Sequence, residues 1–215
     1  MAEEKKVEYR RLESSVGTTA AEHYQAKLRG LLERAGLMNR VKHIVCDLVP
    51  APAVFDDNDV LPRGDDIVPE VQKTPERFPH LTKGLNIPLL SSVEDGGDGN
   101  PQSVLLRFRQ EASRYEEMVR LKVERFQMTP APDGSELMVI GSNIGSLASN
   151  YGRATALVMT LLMKQTFETL HLPARLHLTV LTTEGLTDDV NLLAHEYAAL
   201  TEVNALFGQE VGDDE

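Results

Sequence analysis

One stretch, ELMVIGSNIGSLASNYGRATALVMTLLMKQTFETL over residues 136–170, restricts the fold more than any other part of the chain. Leu137, Met138, Val139 and Ile140 form a short apolar run, the pattern of a strand covered on both faces. Gly141-Ser142-Asn143-Ile144-Gly145-Ser146 follows at once and reads as a turn, because two glycines with Ser and Asn between them suit positive φ angles and close backbone approach. From Tyr151 the pattern is helical, with Ala154, Leu157, Val158, Leu161 and Leu162 on one stripe. A strand, a glycine turn and a helix N-terminus in that order have two readings. One is an anion site built from free backbone N–H groups; the other is a tight βα connection. The motif alone does not choose between them.

The rest of the chain repeats the strand–helix rhythm. Residues 7–13 alternate weakly as a strand, followed by the small-residue turn Ser14–Thr19 and a helix over 20–34 with Tyr24, Leu28, Leu31 and Leu32 as its apolar face. Gly36 stops that helix. Val41–Leu48 is a β-branched strand with Asp47 at its end. Residues 49–102 differ in kind: they hold eight of the eleven prolines and the cluster Gly96-Gly97-Asp98-Gly99. They read as a long excursion with one short ordered segment at 85–90, and loops of that length are usually functional or mobile. A helix over 103–126 follows, with Leu105, Phe108, Ala112, Tyr115, Val119 and Val123 recurring at helical spacing. Its other face, Arg109, Glu116, Arg120 and Glu124, reads as solvated and ion-paired. After the central helix comes a strand with Leu176, Leu178 and Val180 alternating, then a helix over 190–206 capped by Asp188 or Asp189. A mainly parallel sheet with helices on both faces is the economical α/β architecture. In such sheets ligands bind at the carboxyl ends of the strands.

Totals exclude several classes. A length of 215 residues fits one α/β domain, here 1–208, followed by an acidic tail at 209–215. The formal charge of −11 argues against a general nucleic-acid binder. The start of the chain lacks a signal-peptide core, no run approaches ~18 apolar residues, and the single cysteine, Cys46, forbids a disulfide within the chain. The expectation is a soluble cytoplasmic protein. His171 and His177 lack the third and fourth ligands a zinc site wants. His195-Glu196 begins like a zinc-protease helix, but position 199 is Ala. No G-x-S-x-G is present.

The order of parts resembles the nucleotide-binding domain of the tubulin superfamily, especially the divergent bacterial tubulin-like proteins. Gly17-Thr18 falls at the first turn and Asp47 ends the next strand. Gly141-Ser142-Asn143-Ile144-Gly145-Ser146-Leu147 takes the place of the phosphate loop GGGTGSG, and His195–Glu202 matches the start of the closing helix. The likeness spans roughly residues 7–208 and rests on the order of elements more than on identities. It implies a Rossmann-like fold and a guanine-nucleotide site, for GTP or GDP, formed by Gly17, Thr18, Asp47, Gly141, Ser142, Asn143, Gly145, Ser146 and His195. Ile144 replaces the loop threonine, Leu147 the last glycine, and His195 the asparagine that reads guanine. No residue matches the family's activating acid. The resemblance therefore implies weak nucleotide binding, without catalytic residues or hydrolysis. The alternative is a non-catalytic scaffold or interaction subunit that keeps the fold without ligand. Either way a protein partner or self-association is expected. A different α/β enzyme using the same strand edge is least favoured, since no nucleophile–base pair stands out.

Overall fold

The computed structural model describes residues 6–16, 24–46, 55–62, 64–91, 100–129, 131, 135–147, 150–183 and 187–207. Four strands, β1 (Val7–Val16), β2 (Val41–Cys46), β3 (Glu136–Ser146) and β4 (Ala174–Leu181), form one sheet in the order β2-β1-β3-β4. Every pairing is parallel. Among the described residues the α-helices are α1 (Ala26–Arg34), α2 (Val68–Lys73), α3 (Pro79–Thr82), α4 (Pro101–Met128), α5 (Asn150–Thr169) and α6 (Val190–Phe207), with short 3-10 helices at Met38–Arg40, Pro75–Arg77 and Ile87–Leu89. The α/β class and the parallel arrangement of β2, β3 and β4 agree with the sequence, including α5 as the link between β3 and β4.

Leu12, Ser14 and Val16 point to one sheet face, in register with Gly141, Asn143 and Gly145 of β3. Helices α4 and α5 pack there. Arg10 donates to the Phe126 carbonyl at the end of α4, and Asn143 donates to the Ala156 carbonyl of α5, 2.6 Å away. The core on this face is Leu12, Val16, Ile44, Phe108, Tyr115, Val119, Met159, Met163 and Phe167. The opposite face of β1 and β2 is met by Gln25, at the start of α1, whose amide donates to the Glu13 carbonyl. Helices therefore lie on both faces of the sheet.

Several expectations are corrected. The first helix is described from Ala26, and its supposed apolar face is largely in solvent, with Tyr24 and Leu31 exposed. What it buries is Gln25, because the sheet face beneath it is polar. The α5 stripe is displaced: Leu161 is exposed, while Tyr151, Ala156, Met159, Met163 and Phe167 are buried. The excursion at 49–102 is more ordered than its prolines suggest. Pro69, Pro75, Pro79 and Pro88 each stand in the first turn of a short helix, where proline's missing N–H costs nothing. Val68, Val71 and Leu90 close a second small core with Leu106 of α4. Its segment 55–62 also seals the outer edge of β2: Val45 donates to the Asp59 carbonyl and accepts from the Leu61 N–H.

The helix ends follow their caps. Asn100 accepts from the Gln102 N–H at 2.8 Å, with Pro101 in the first turn of α4. Asp189 accepts from the N–H groups of Asn191 and Leu192 and opens α6, as the sequence suggests.

Candidate functional site at the carboxyl edge of the sheet

The supposed phosphate turn is strand. β3 runs without a break through Gly141, Ser142, Asn143, Ile144, Gly145 and Ser146, paired with β1 on one side and β4 on the other. Their backbone groups serve the ladder, so they are not the free donors a phosphate loop needs. The glycines have a packing reason instead. A Cβ on Gly141 would meet the Met163 sulfur at 2.6 Å and the Phe167 ring at 2.7 Å; one on Gly145 would meet the Ala156 Cβ at 2.5 Å. A third glycine, Gly152, lies against the Ser146 carbonyl, closer than any side chain permits. Three glycines therefore bring α5 down onto β3.

The polar members of the motif are committed as well. The Asn143 amide donates to the Ala156 carbonyl and to the Thr160 hydroxyl, 3.0 Å away. Ser142 points to the other face, where its hydroxyl accepts from Arg11 at 3.1 Å. The true βα connection starts at Leu147, and α5 begins at Asn150. Arg153, in the first turn, donates to the Leu147 carbonyl at 2.7 Å. Burial lowers its pKa, with the charge of Glu196 acting the other way.

Gly17, Thr18 and Asp47 lie outside the described residues. His195 is exposed on α6 and is not brought to this edge. Its neighbour Glu196 is: buried, it accepts from the Thr183 N–H at 3.0 Å and the Thr183 hydroxyl at 2.9 Å. Helical spacing separates the two, since adjacent residues on a helix face directions about 100° apart. A cleft of ≈ 310 Å³ beside Thr182 is lined by Leu193, Glu196, Tyr197 and Leu200.

No protein-family model, characterised protein or solved structure matches the chain. The site therefore stands on its geometry. The decisive feature is topological: β2 follows β1 outward in one direction and β4 follows β3 outward in the other. The helix after β1 meets one face, and the helix after β3 packs on the opposite one. That is a switch point, the place in open α/β sheets beyond whose carboxyl edge ligands generally bind.

Sequence reasoning missed a buried polar cluster beneath α1, formed by Glu13, Ser15, Gln25 and His43. Asp59, Lys122 and Arg29 form an ion-paired group beside it. The signal was present in β1, where EYRRLESS places acids and arginines inside a strand that is central to the sheet.

Proposed function

We propose that the chain is a tubulin-like nucleotide-binding domain with a degraded site, which takes GTP or GDP weakly and does not turn it over. The reading is supported by the switch point between β1 and β3, the place where α/β sheets bind nucleotides. The phosphate donors in this reading are the N–H groups at the start of α5, which begins three residues beyond the segment that resembles the phosphate loop. The positive end of a 20-residue helix favours an anion there. Weakness follows from three features. Leu147 stands where the loop's last glycine would be, Arg153 is engaged with the Leu147 carbonyl, and Glu196 brings a carboxylate to the same edge.

Calorimetry with GTP, GDP and ATP, with and without magnesium, tests this. The expected result is weak saturable binding of the guanine nucleotides. No heat and no thermal shift with any of them at millimolar concentration overturns it.

A second reading, a self-associating scaffold, is favoured by the far side of the sheet. Parallel sheets are normally covered on both faces. Yet Tyr9, Arg175 and His177 are exposed and Met138 and Ile140 half-buried, next to one another across three strands. Arg11, Arg175 and His177 lie on that face among the described residues, with two acids, Glu136 at its far end and the buried Glu13, which pairs with Arg11 at 2.7 Å. Helix α6 presents the complementary surface. Val190, Ala194, Tyr197 and Ala198 form an outward stripe, with Val190 76% and Tyr197 74% exposed, on a helix followed by the acidic residues of 210–215. In this reading the occupant is α6 of a second copy. Such a contact joins two different surfaces and so propagates head to tail.

A further inference from the structure

We propose that a second, small site lies between β2, the 55–59 segment and the last turns of α4, and that it binds a tetrahedral oxyanion: inorganic phosphate or the phosphate end of a small metabolite. The cavity there measures ≈ 160 Å³, room for one phosphate group. Arg29, Lys42, Lys122 and Arg125 line it against two acids, Asp56 and Asp59. In a chain of charge −11 this is a local excess of positive charge.

Both acids are already occupied. Asp59 is held by Lys122 and by Arg29 at 3.2 Å, and Asp56 accepts from the Asn58 N–H at 2.8 Å. Lys42 and Arg125 have no ion pair or side-chain hydrogen bond among the described residues, so two cations remain for a ligand.

His43 supplies the independent observation. It lines the cavity, is 2% exposed, and its Nε2 has no hydrogen-bond partner. The neighbouring network favours a proton on Nε2: the Glu13 carboxylate, 3.7 Å from Nδ1, is beyond hydrogen-bond distance, which leaves Gln25 as the group facing that nitrogen. The Gln25 amide oxygen accepts from the Ser15 hydroxyl, so its nitrogen faces the Glu13 carbonyl and His43 Nδ1, each 3.3 Å away. A donor aimed at Nδ1 makes Nδ1 the acceptor, and a neutral imidazole then carries its hydrogen on Nε2. Burial keeps the ring neutral, with a pKa lowered to about 4. A buried N–H with no acceptor is costly. An oxyanion that moves aside the packing over Nε2 would satisfy it, while Lys42 and Arg125 balance the charge. A cation would meet a donor and four positive groups and is excluded by the same inventory.

Titrating the full chain with inorganic phosphate, and separately with methyl phosphate, tests the site. Calorimetry and the ring nitrogen resonances of His43 give the readout. Saturable binding is expected, with the Nε2 resonance moving and Nδ1 staying where it is. His43→Phe keeps a ring against Phe55, and Lys42→Ala/Arg125→Ala changes outward-reaching side chains; each should weaken binding about ten-fold, the typical loss for one charge-assisted hydrogen bond. Equal binding of methyl phosphate identifies a phosphate ester as the ligand class, and binding of inorganic phosphate alone identifies the free ion. Acetate should not compete. No saturable change with either phosphate at tens of millimolar, or binding unaltered in the Lys42→Ala/Arg125→Ala protein, overturns the proposal.

Discussion

Gly145 of β3 and Ala156 of α5 are fitted to each other: a methyl group on Gly145 would lie 2.5 Å from the Ala156 Cβ, inside van der Waals contact. The glycine has a β-strand conformation that alanine also adopts, so space alone excludes a side chain. Gly145→Ala should therefore destabilise the protein by about 1–3 kcal/mol, the usual cost of overpacking. For a chain of this size each kcal/mol lowers Tm by about 2–4 °C. Ala156→Gly in the same protein should recover most of the loss. Thermal denaturation of the two single variants and the double variant decides it; no recovery in the double variant would show that the glycine serves something other than helix approach.

That pairing explains why the central motif is legible in one respect and misleading in another. The order strand, glycine segment, helix is plain in the sequence and places β3 and α5 correctly. Glycines required for a turn and glycines required for close packing look the same, because the partner side chains, Ala156, Met163 and Phe167, lie far along the next element. The α1 face was misjudged for a related reason. Helical periodicity finds Leu28 and Leu31, yet cannot know that Glu13 and His43 make the surface beneath them polar, so that Gln25 is the residue buried. Asp189 was easier, since a cap acts within three residues of itself.

Acid should destabilise the protein through His43. Folding holds His43 at about 4, below its ordinary 6.5, so between those values the unfolded chain takes up a proton that the native protein refuses. Stability from the buried neutral ring is full above pH 6.5 and is lost as pH falls towards 4, by about 3 kcal/mol in all. Glu13, whose pKa burial raises, acts in the opposite sense and blurs the total. The difference in denaturant stability between native protein and His43→Phe reports the histidine together with the response of Glu13, 3.7 Å from its Nδ1. That difference should shrink steadily from pH 7 to pH 4, and a flat difference would falsify the assignment.

Lys122→Met should be among the most damaging single changes. It leaves Asp59 nearly buried with Arg29 as its remaining ionic partner, and breaking one side of a buried pair costs about 3–5 kcal/mol. Adding Asp59→Asn removes the orphaned charge and should restore more than half of the loss. Urea unfolding of both variants reads this, and equal stabilities would mean the pair is not coupled.

Self-association through unlike surfaces makes a prediction that like surfaces do not. Tyr9→Glu should spoil the sheet face and Tyr197→Glu the α6 stripe, each giving a monomer in sedimentation. Mixing the two variants should regenerate a dimer and nothing larger, because one intact copy of each surface remains. A monomeric native chain at high concentration, or an inert mixture, removes the scaffold reading.

Steady-state release of phosphate from GTP should not exceed the buffer blank at any protein concentration. Turnover that scales with protein and survives repurification would sink the non-hydrolysing assignment.

The central position of β1 has a consequence for how the protein is made. Val7 meets Glu136 and Val16 meets Gly145, so β1 must wait until synthesis has passed the excursion and α4 before its second neighbour exists. β2 can dock soon after it is synthesised; the β3 side of β1, with its unpaired N–H and C=O groups, stays open throughout synthesis of the excursion and α4. Pairings this distant in sequence are slow to form and prone to aggregation while incomplete. Nascent chains stalled before residue 135 should therefore be strong clients of holding chaperones, and release from them should coincide with the appearance of β3.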